Sequence, residues 1–193
     1  MSNRIQDIQG FLREILVQRI RPGDIALDLT AGRGRDTLFL AQAVGPKGRV
    51  HAFDIQDRAL KETERLLSKH GLAERVSLHA ITHARVREVV AEPINIAMFN
   101  LGYLPGSDHS LTTQAESTLL ALQSVLEMLT LNGILVLTIY RGHPGGKEEA
   151  SAVDQFLTSL PRKCFSVLEG KYINQDREAP YWVLVQKKRE EIG

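Results

Sequence analysis

The sequence predicts a single α/β domain over residues 1–193, built on a mostly parallel, doubly wound seven-stranded sheet that ends in an antiparallel hairpin. Three observations carry this prediction. Five short apolar runs alternate with helical patterns. The first of them leads into a glycine loop and a helix, then a second run ending in an acid. The last two runs are joined by a connection too short for a crossover helix, so they must pair antiparallel.

Each element follows in order. Ile8, Phe11, Leu12, Ile15 and Leu16 repeat at helical spacing before Arg21-Pro22-Gly23-Asp24, marking an amphipathic helix within residues 1–20 that covers the domain or a partner. Ile25 to Leu29 is the first strand, Leu38 to Val44 a helix, and the run ending at Asp54 the second strand. Asp57 is placed to cap the next helix, which carries Leu60, Leu66 and Leu67 and stops at His70-Gly71, with Gly71 as the left-handed residue. Val76 to Ala80 is a third strand. Pro93 precedes a fourth, Ile94 to Phe99, apolar on both faces like a central parallel strand. Thr113-Gln114-Ala115-Glu116 reads as a capping box opening a helix with Ala115, Leu119, Leu122, Leu126 and Leu129 buried, ended by Asn132-Gly133. Ile134 to Ile139 is the fifth strand, followed by a helix with Ala150, Val153, Phe156, Leu157 and Leu160 inward, ended by Pro161. Ser166 to Tyr172 and Tyr181 to Lys187 form the hairpin.

Composition narrows the class. With 193 residues, 43% apolar and 24% charged, the chain can bury one core. Its net charge of +1 gives no global argument for nucleic acid. The lone Cys164 forms no internal disulfide and reads as packing. No run approaches about 18 apolar residues, so the expectation is a cytoplasmic protein without a membrane span.

The glycine loop Ala31-Gly32-Arg33-Gly34 lets backbone approach a ligand closely, and Asp54 lies where an acid can bind ribose hydroxyls. A pyrophosphate site needs a third glycine where this chain has Thr37. Asp28, four residues before Gly32, would repel a diphosphate and attract a ligand bearing an ammonium and a sulfonium. At these residues the chain resembles the Rossmann-like class I S-adenosylmethionine methyltransferases. His79 and His83 stand at a strand end, not on one helix face, so no metal is expected.

Asn100 to Pro105 resembles the N-P-P-Y type motif of amine-directed methyltransferases, with Asn100 and Tyr103 matching and Leu101 and Gly102 in place of the prolines. Together with N-L-G-Y-L-P-G at 100–106, Y-R-G-H-P-G-G-K-E-E at 140–149 and Y-I-N-Q at 172–175, the chain is similar to the rRNA methylase family along nearly its whole length. That resemblance implies N-methylation of 5-aminomethyl-2-thiouridine at the tRNA wobble position by a homodimer that binds the tRNA anticodon region, with S-adenosylmethionine as cofactor. It implies catalytic Asn100 and Tyr103, and a cofactor held by Asp28, Thr30, Gly32, Gly34, Asp36, Thr37, Asp54, Gln56, His83 and Asn100. Tyr103, Tyr140, His143, Lys147 and Asn174 are then the substrate-binding set, with Lys147 or the 142–146 amides meeting RNA phosphate. Arg33 and Arg35 stand where family members usually carry Asn and His, and could meet a cofactor carboxylate or RNA phosphate. The alternatives are a ribosomal RNA substrate, a small-molecule N-methyltransferase, disfavoured because no inserted lid encloses a small substrate, or a noncatalytic RNA-binding module.

Overall fold

The computed structural model describes residues 8–102, 112–176 and 178–189. Helix α1 (Ile8–Val17) is followed by β1 (Ile25–Asp28), α2 (Arg35–Ala43), β2 (Arg49–Phe53), α3 (Asp57–Lys69) and β3 (Val76–His79). Then come β4 (Ile94–Leu101), α4 (Ala115–Met128), β5 (Leu129–Ile139), α5 (Gly146–Ser159), β6 (Phe165–Gly170) and β7 (Tyr181–Lys187). They form one seven-stranded sheet in the order β3-β2-β1-β4-β5-β7-β6. The first five strands pair parallel, β7 pairs antiparallel with β5, and β6 pairs antiparallel with β7. The chain order reverses at β1 beside β4, and the crevice beyond the carboxyl ends of those strands is where open α/β sheets bind ligands.

The two-residue period of the strands sorts their side chains onto two cores. Ala26, Ile96, Met98, Ile134 and Val136 pack with Leu12 and Leu16 of α1 and with Leu40 of α2. Leu27, Ala97, Phe99, Leu135 and Leu137 pack with Leu122 and Val125 of α4 and Val153 of α5 on the other face. Continued by one more step, the rows of the first face reach Asp28, Asn100 and Thr138. These three therefore emerge on the side covered by α1 and α2, with Asp28 opposite Met98 and Asn100 opposite Thr138 in the strand register.

Several expected boundaries move. Leu129 belongs to β5 rather than to the buried stripe of α4, because α4 ends at Met128 and β5 starts early. Asn132 adopts a left-handed φ of 65°, and the β4–β5 register shifts between Ile94 and Ile96, so Asn132-Gly133 interrupts a strand instead of ending a helix. Asp57 is the first residue of α3 and Gln56 its cap, without a side-chain bond. The opposite end of α3 is as expected: Gly71 has φ 67°, its N–H donates to the Ser68 carbonyl, and the Leu72 N–H donates to the Leu67 carbonyl. The hairpin strand expected at Ser166 to Tyr172 runs from Phe165 to Gly170.

The expected capping box at Thr113 does not form, since α4 is capped by Gln114 without a side-chain bond. The Thr113 hydroxyl has different work. It donates to Glu149 Oε2 at 2.6 Å and accepts from the Gly102 N–H at 2.9 Å, while the Thr113 N–H donates to the Gly102 carbonyl at 3.0 Å. Thr118 Oγ1 donates to Glu149 Oε1 at 2.6 Å, and Glu149 is only 2% exposed. A buried carboxylate on α5 thus fastens the end of β4 to the start of α4. Thr118→Val should lower unfolding free energy by about 1–3 kcal/mol, because one carboxylate oxygen then loses its donor inside the core. Urea denaturation checks this; an unchanged midpoint would mean Thr118 does not support Glu149.

Candidate active site

The loop after β1 is built around carboxylates. Gly34 caps α2 with φ 75°, and a Cβ there would lie 2.8–2.9 Å from Thr63 on α3, which leaves glycine as the residue that fits. Asp28 is fully buried; its Oδ2 accepts from Thr37 Oγ1 at 2.6 Å and its Oδ1 from the Thr30 N–H at 3.2 Å. Burial, with the charges of Asp36 and Asp54, raises its carboxyl to about 7 against those two donors. Asp54 Oδ2 accepts from the Gly32 N–H and its Oδ1 from the Gln56 N–H, both at 2.9 Å. Burial raises Asp54 as well, opposed by the backbone donors of Gln56, Gly32 and Ile55. Three acids thus surround one glycine loop, with an apolar side chain, Ile55, standing 57% exposed beside Asp54. This donor set fits a cationic ligand with a ribose diol and a flat base: acids for the cationic groups and hydroxyls, and an apolar face for the base.

Asn100 joins this cluster through Asp36. Its Nδ2 donates to Asp36 Oδ2 at 2.8 Å and its N–H donates to Thr30 Oγ1 at 2.9 Å. Because a carboxylate only accepts, Asp36 selects the nitrogen of the Asn100 amide and leaves its oxygen facing away. That oxygen accepts from Gln9 Nε2 of α1 at 2.7 Å, and the same Gln9 nitrogen reaches Thr138 Oγ1 at 3.0 Å and Tyr140 Oη at 3.5 Å. One turn along α1, Arg13 places two nitrogens on Asp36 Oδ1, at 2.6 and 3.1 Å. Gln9 and Arg13 carry no sequence motif. Their only signal is the polar row, four residues apart, beside the Ile8, Leu12 and Leu16 stripe.

The structure therefore brings together Asp28, Thr30, Gly32, Gly34, Asp36, Thr37, Asp54, Gln56, Asn100 and Tyr140. Tyr103, expected beside Asn100, lies outside the described residues. The other expected substrate residues lie around α5 and the connection between β6 and β7. His143 is buried beside Gly146, its Nδ1 3.0 Å from the Pro144 carbonyl. Lys147 Nζ lies 2.5 Å from Glu178 Oε1, so its charge already has an acidic partner. It lines a cleft of about 550 Å³ with Arg141, Asp154, Asp176 and Glu178, whose acids outnumber its bases. Asn174 is exposed in the turn before β7. Of the two loop arginines, Arg33 approaches Glu62 at 3.9 Å and Arg35 is an exposed first residue of α2.

His79 and His83 go to different neighbours. His79 Nε2 lies 3.1 Å from His51 Nδ1, and no group of three metal-binding side chains occurs among the described residues. His83 is packed inside the fold. It is 9% exposed, lies edge-on to the Phe99 ring, and bonds the Leu29 carbonyl while its Nε2 is buried without a partner among the described residues.

Burial pushes His83 down to about 4 from its ordinary 6.5. The folded state then keeps it neutral where the unfolded chain binds a proton, so stability is lost as pH falls from 6.5 toward 4. Asp28 has the opposite sign, binding its proton more tightly when folded, so the parent's own curve is flattened. The difference between parent and His83→Gln isolates the histidine. It should shift against the parent by about 3 kcal/mol between pH 7 and pH 4, as read by urea unfolding at each pH. A difference that stays constant with pH would contradict the buried, neutral assignment.

The family described as "Putative rRNA methylase" matches residues 50–186. The tRNA (mnm(5)s(2)U34)-methyltransferase of Arabidopsis thaliana chloroplasts is 40% identical over 181 residues, covering 89% of this chain and 66% of that protein. The chain thus spans less than two thirds of the length of the curated relatives it matches. A crystal structure of a "putative rRNA-methylase" from Clostridium thermocellum superposes with a TM-score of 0.92 at 38% identity, over 95% of this chain and 99% of that one. A "putative methyltransferase" from Streptococcus mutans, solved in complex with SAH, gives 0.85 at 34% identity, over 97% and 99%. By the family match over residues 50–186 and these superpositions, the chain belongs to the rRNA methylase family of S-adenosylmethionine-dependent methyltransferases.

Proposed function

We propose that this protein methylates the amine of 5-aminomethyl-2-thiouridine at the tRNA wobble position, giving the methylaminomethyl nucleoside. The observation that carries the amine chemistry is the fixed carboxamide of Asn100, whose nitrogen is held by Asp36 and whose oxygen accepts from Gln9 Nε2 at the carboxyl edge of the sheet. The Arabidopsis relative supports the choice of nucleoside. When bound, S-adenosylmethionine supplies an electrophilic methyl group on a sulfonium.

The residues would divide the task as follows. Asp54 and the Gly32 amide meet the ribose edge, and Ile55 offers an apolar face to the base. Asp28 supplies negative charge as a cationic ligand draws its buried carboxyl into the ionised form. Asn100 Oδ1 accepts an N–H from the substrate amine, which aligns its lone pair for in-line attack. No metal or covalent intermediate is needed for such a displacement. Only the neutral amine has a lone pair, and a free alkylamine is mostly protonated near neutral pH, so the cleft must favour the uncharged form by desolvation. Tyr103 is assigned to stacking on the modified base on sequence grounds, and Tyr140, whose hydroxyl lies 3.5 Å from Gln9 Nε2, to contact with the substrate. A homodimer acting on the tRNA anticodon region belongs to this reading.

Single-turnover methyl transfer to tRNA carrying 5-aminomethyl-2-thiouridine tests it. The rate should rise with pH as the amine loses its proton, and Asn100→Ala should slow the saturated rate by about tenfold or more while weakening RNA binding less. Full activity in Asn100→Ala would remove this residue from the mechanism. No methylation by the parent would remove the substrate, leaving ribosomal RNA or a small amine.

A further inference from the structure

A neutral primary amine has two N–H donors and one lone pair. If the lone pair faces the methyl carbon, both donors need acceptors inside a cleft that excludes water. Asn100 Oδ1 is one. The adjacent main-chain carbonyls each already have a donor, Leu101 from the Tyr140 N–H at 3.1 Å and Gly102 from the Thr113 N–H at 3.0 Å, so neither is left unsatisfied by the fold. Gln9 Oε1 is different. It is buried and makes no hydrogen bond among the described residues, although the nitrogen of the same carboxamide is pinned by Asn100 Oδ1 at 2.7 Å and Thr138 Oγ1 at 3.0 Å.

A buried acceptor without a donor is costly, and such atoms are rare in folded proteins. Here it sits on a carboxamide bonded directly to the Asn100 oxygen, so the two acceptor oxygens are neighbours. On the amine-methylating reading above, we propose that Gln9 Oε1 is the second acceptor for the substrate amine, which makes α1 part of the catalytic site rather than only a cover for the sheet. Each carboxamide oxygen has two lone pairs, so Asn100 Oδ1 can keep its bond from Gln9 Nε2 and still take an amine N–H. The pair of oxygens orients the nitrogen with its lone pair outward. That lone pair forms the new N–C bond as the C–S bond of the donor breaks. The C–S electron pair stays on sulfur, and the secondary ammonium so formed releases its extra proton to solvent. Arg13 supports the arrangement by holding Asp36, which in turn fixes the Asn100 amide.

The test uses the same tRNA at saturating S-adenosylmethionine, with Gln9→Leu and the isosteric Gln9→Glu. Gln9→Leu should slow single-turnover transfer by about tenfold or more while cofactor affinity, measured by calorimetry, changes little. Gln9→Glu places a carboxylate against the amine and favours its ammonium form, so the rise of rate with pH should move to higher pH. A role confined to fastening α1 would shift melting temperature and cofactor affinity and leave that pH profile in place. Transfer at the parent rate by Gln9→Leu, or a parental pH profile in Gln9→Glu, would overturn the proposal alone. Failure of the parent to transfer a methyl group to this tRNA would overturn it together with the reading on which it rests.

Discussion

The Asp36 carboxylate is the constraint on which the site depends. One oxygen takes the Arg13 guanidinium from α1, and the other takes the Asn100 amide from β4, while the residue itself lies in the first turn of α2. Three elements distant in sequence therefore meet at one anion. The pairing matters because Asp36 is almost buried and stands near a second acid, Asp28, which burial already raises to about 7. Without a cation from α1, two close carboxylates beneath a glycine loop would repel one another. With it, the cluster keeps enough negative charge to receive a cationic ligand and still orients a neutral amide.

The sheet makes this possible at little local expense. On β1, β4 and β5, rows of apolar side chains fill the core beneath α1 and α2, and each row ends in one polar residue at the carboxyl edge: Asp28, Asn100 and Thr138. Period-two geometry thus converts three hydrophobic strands into a polar rim exactly one step beyond the core. The opposite face ends differently. There the buried Glu149 binds Thr113 and Thr118, and Thr113 in turn holds the backbone of Gly102 at the end of β4. One face presents chemistry, and the other holds its frame.

What could be read in the sequence was local. Asp28, Gly32, Gly34 and Asp54 fall within one strand, loop, helix and strand, so spacing alone places them together, and the short connection before Tyr181 to Lys187 makes that strand half of an antiparallel hairpin. Where two nearby signals compete, the reading fails. Leu129 continues a helical stripe yet starts a strand, and Thr113 resembles a cap yet serves Glu149, 36 residues away. Gln9 and Arg13 were invisible for a related reason. A polar row on an amphipathic helix normally faces water, and only the docking of α1 turns it onto Asn100 and Asp36. Lys147 shows the converse, a residue whose type suits phosphate but whose charge already meets Glu178.

On the proposed reading, the amine would be held between the Asn100 and Gln9 carboxamides at this polar rim, and tRNA would carry it. Mass spectrometry of tRNA nucleosides from cells lacking this chain measures that claim at its end point. The account predicts loss of 5-methylaminomethyl-2-thiouridine and accumulation of its 5-aminomethyl precursor, both reversed when the parent chain is restored. Unchanged levels of the two nucleosides would contradict it.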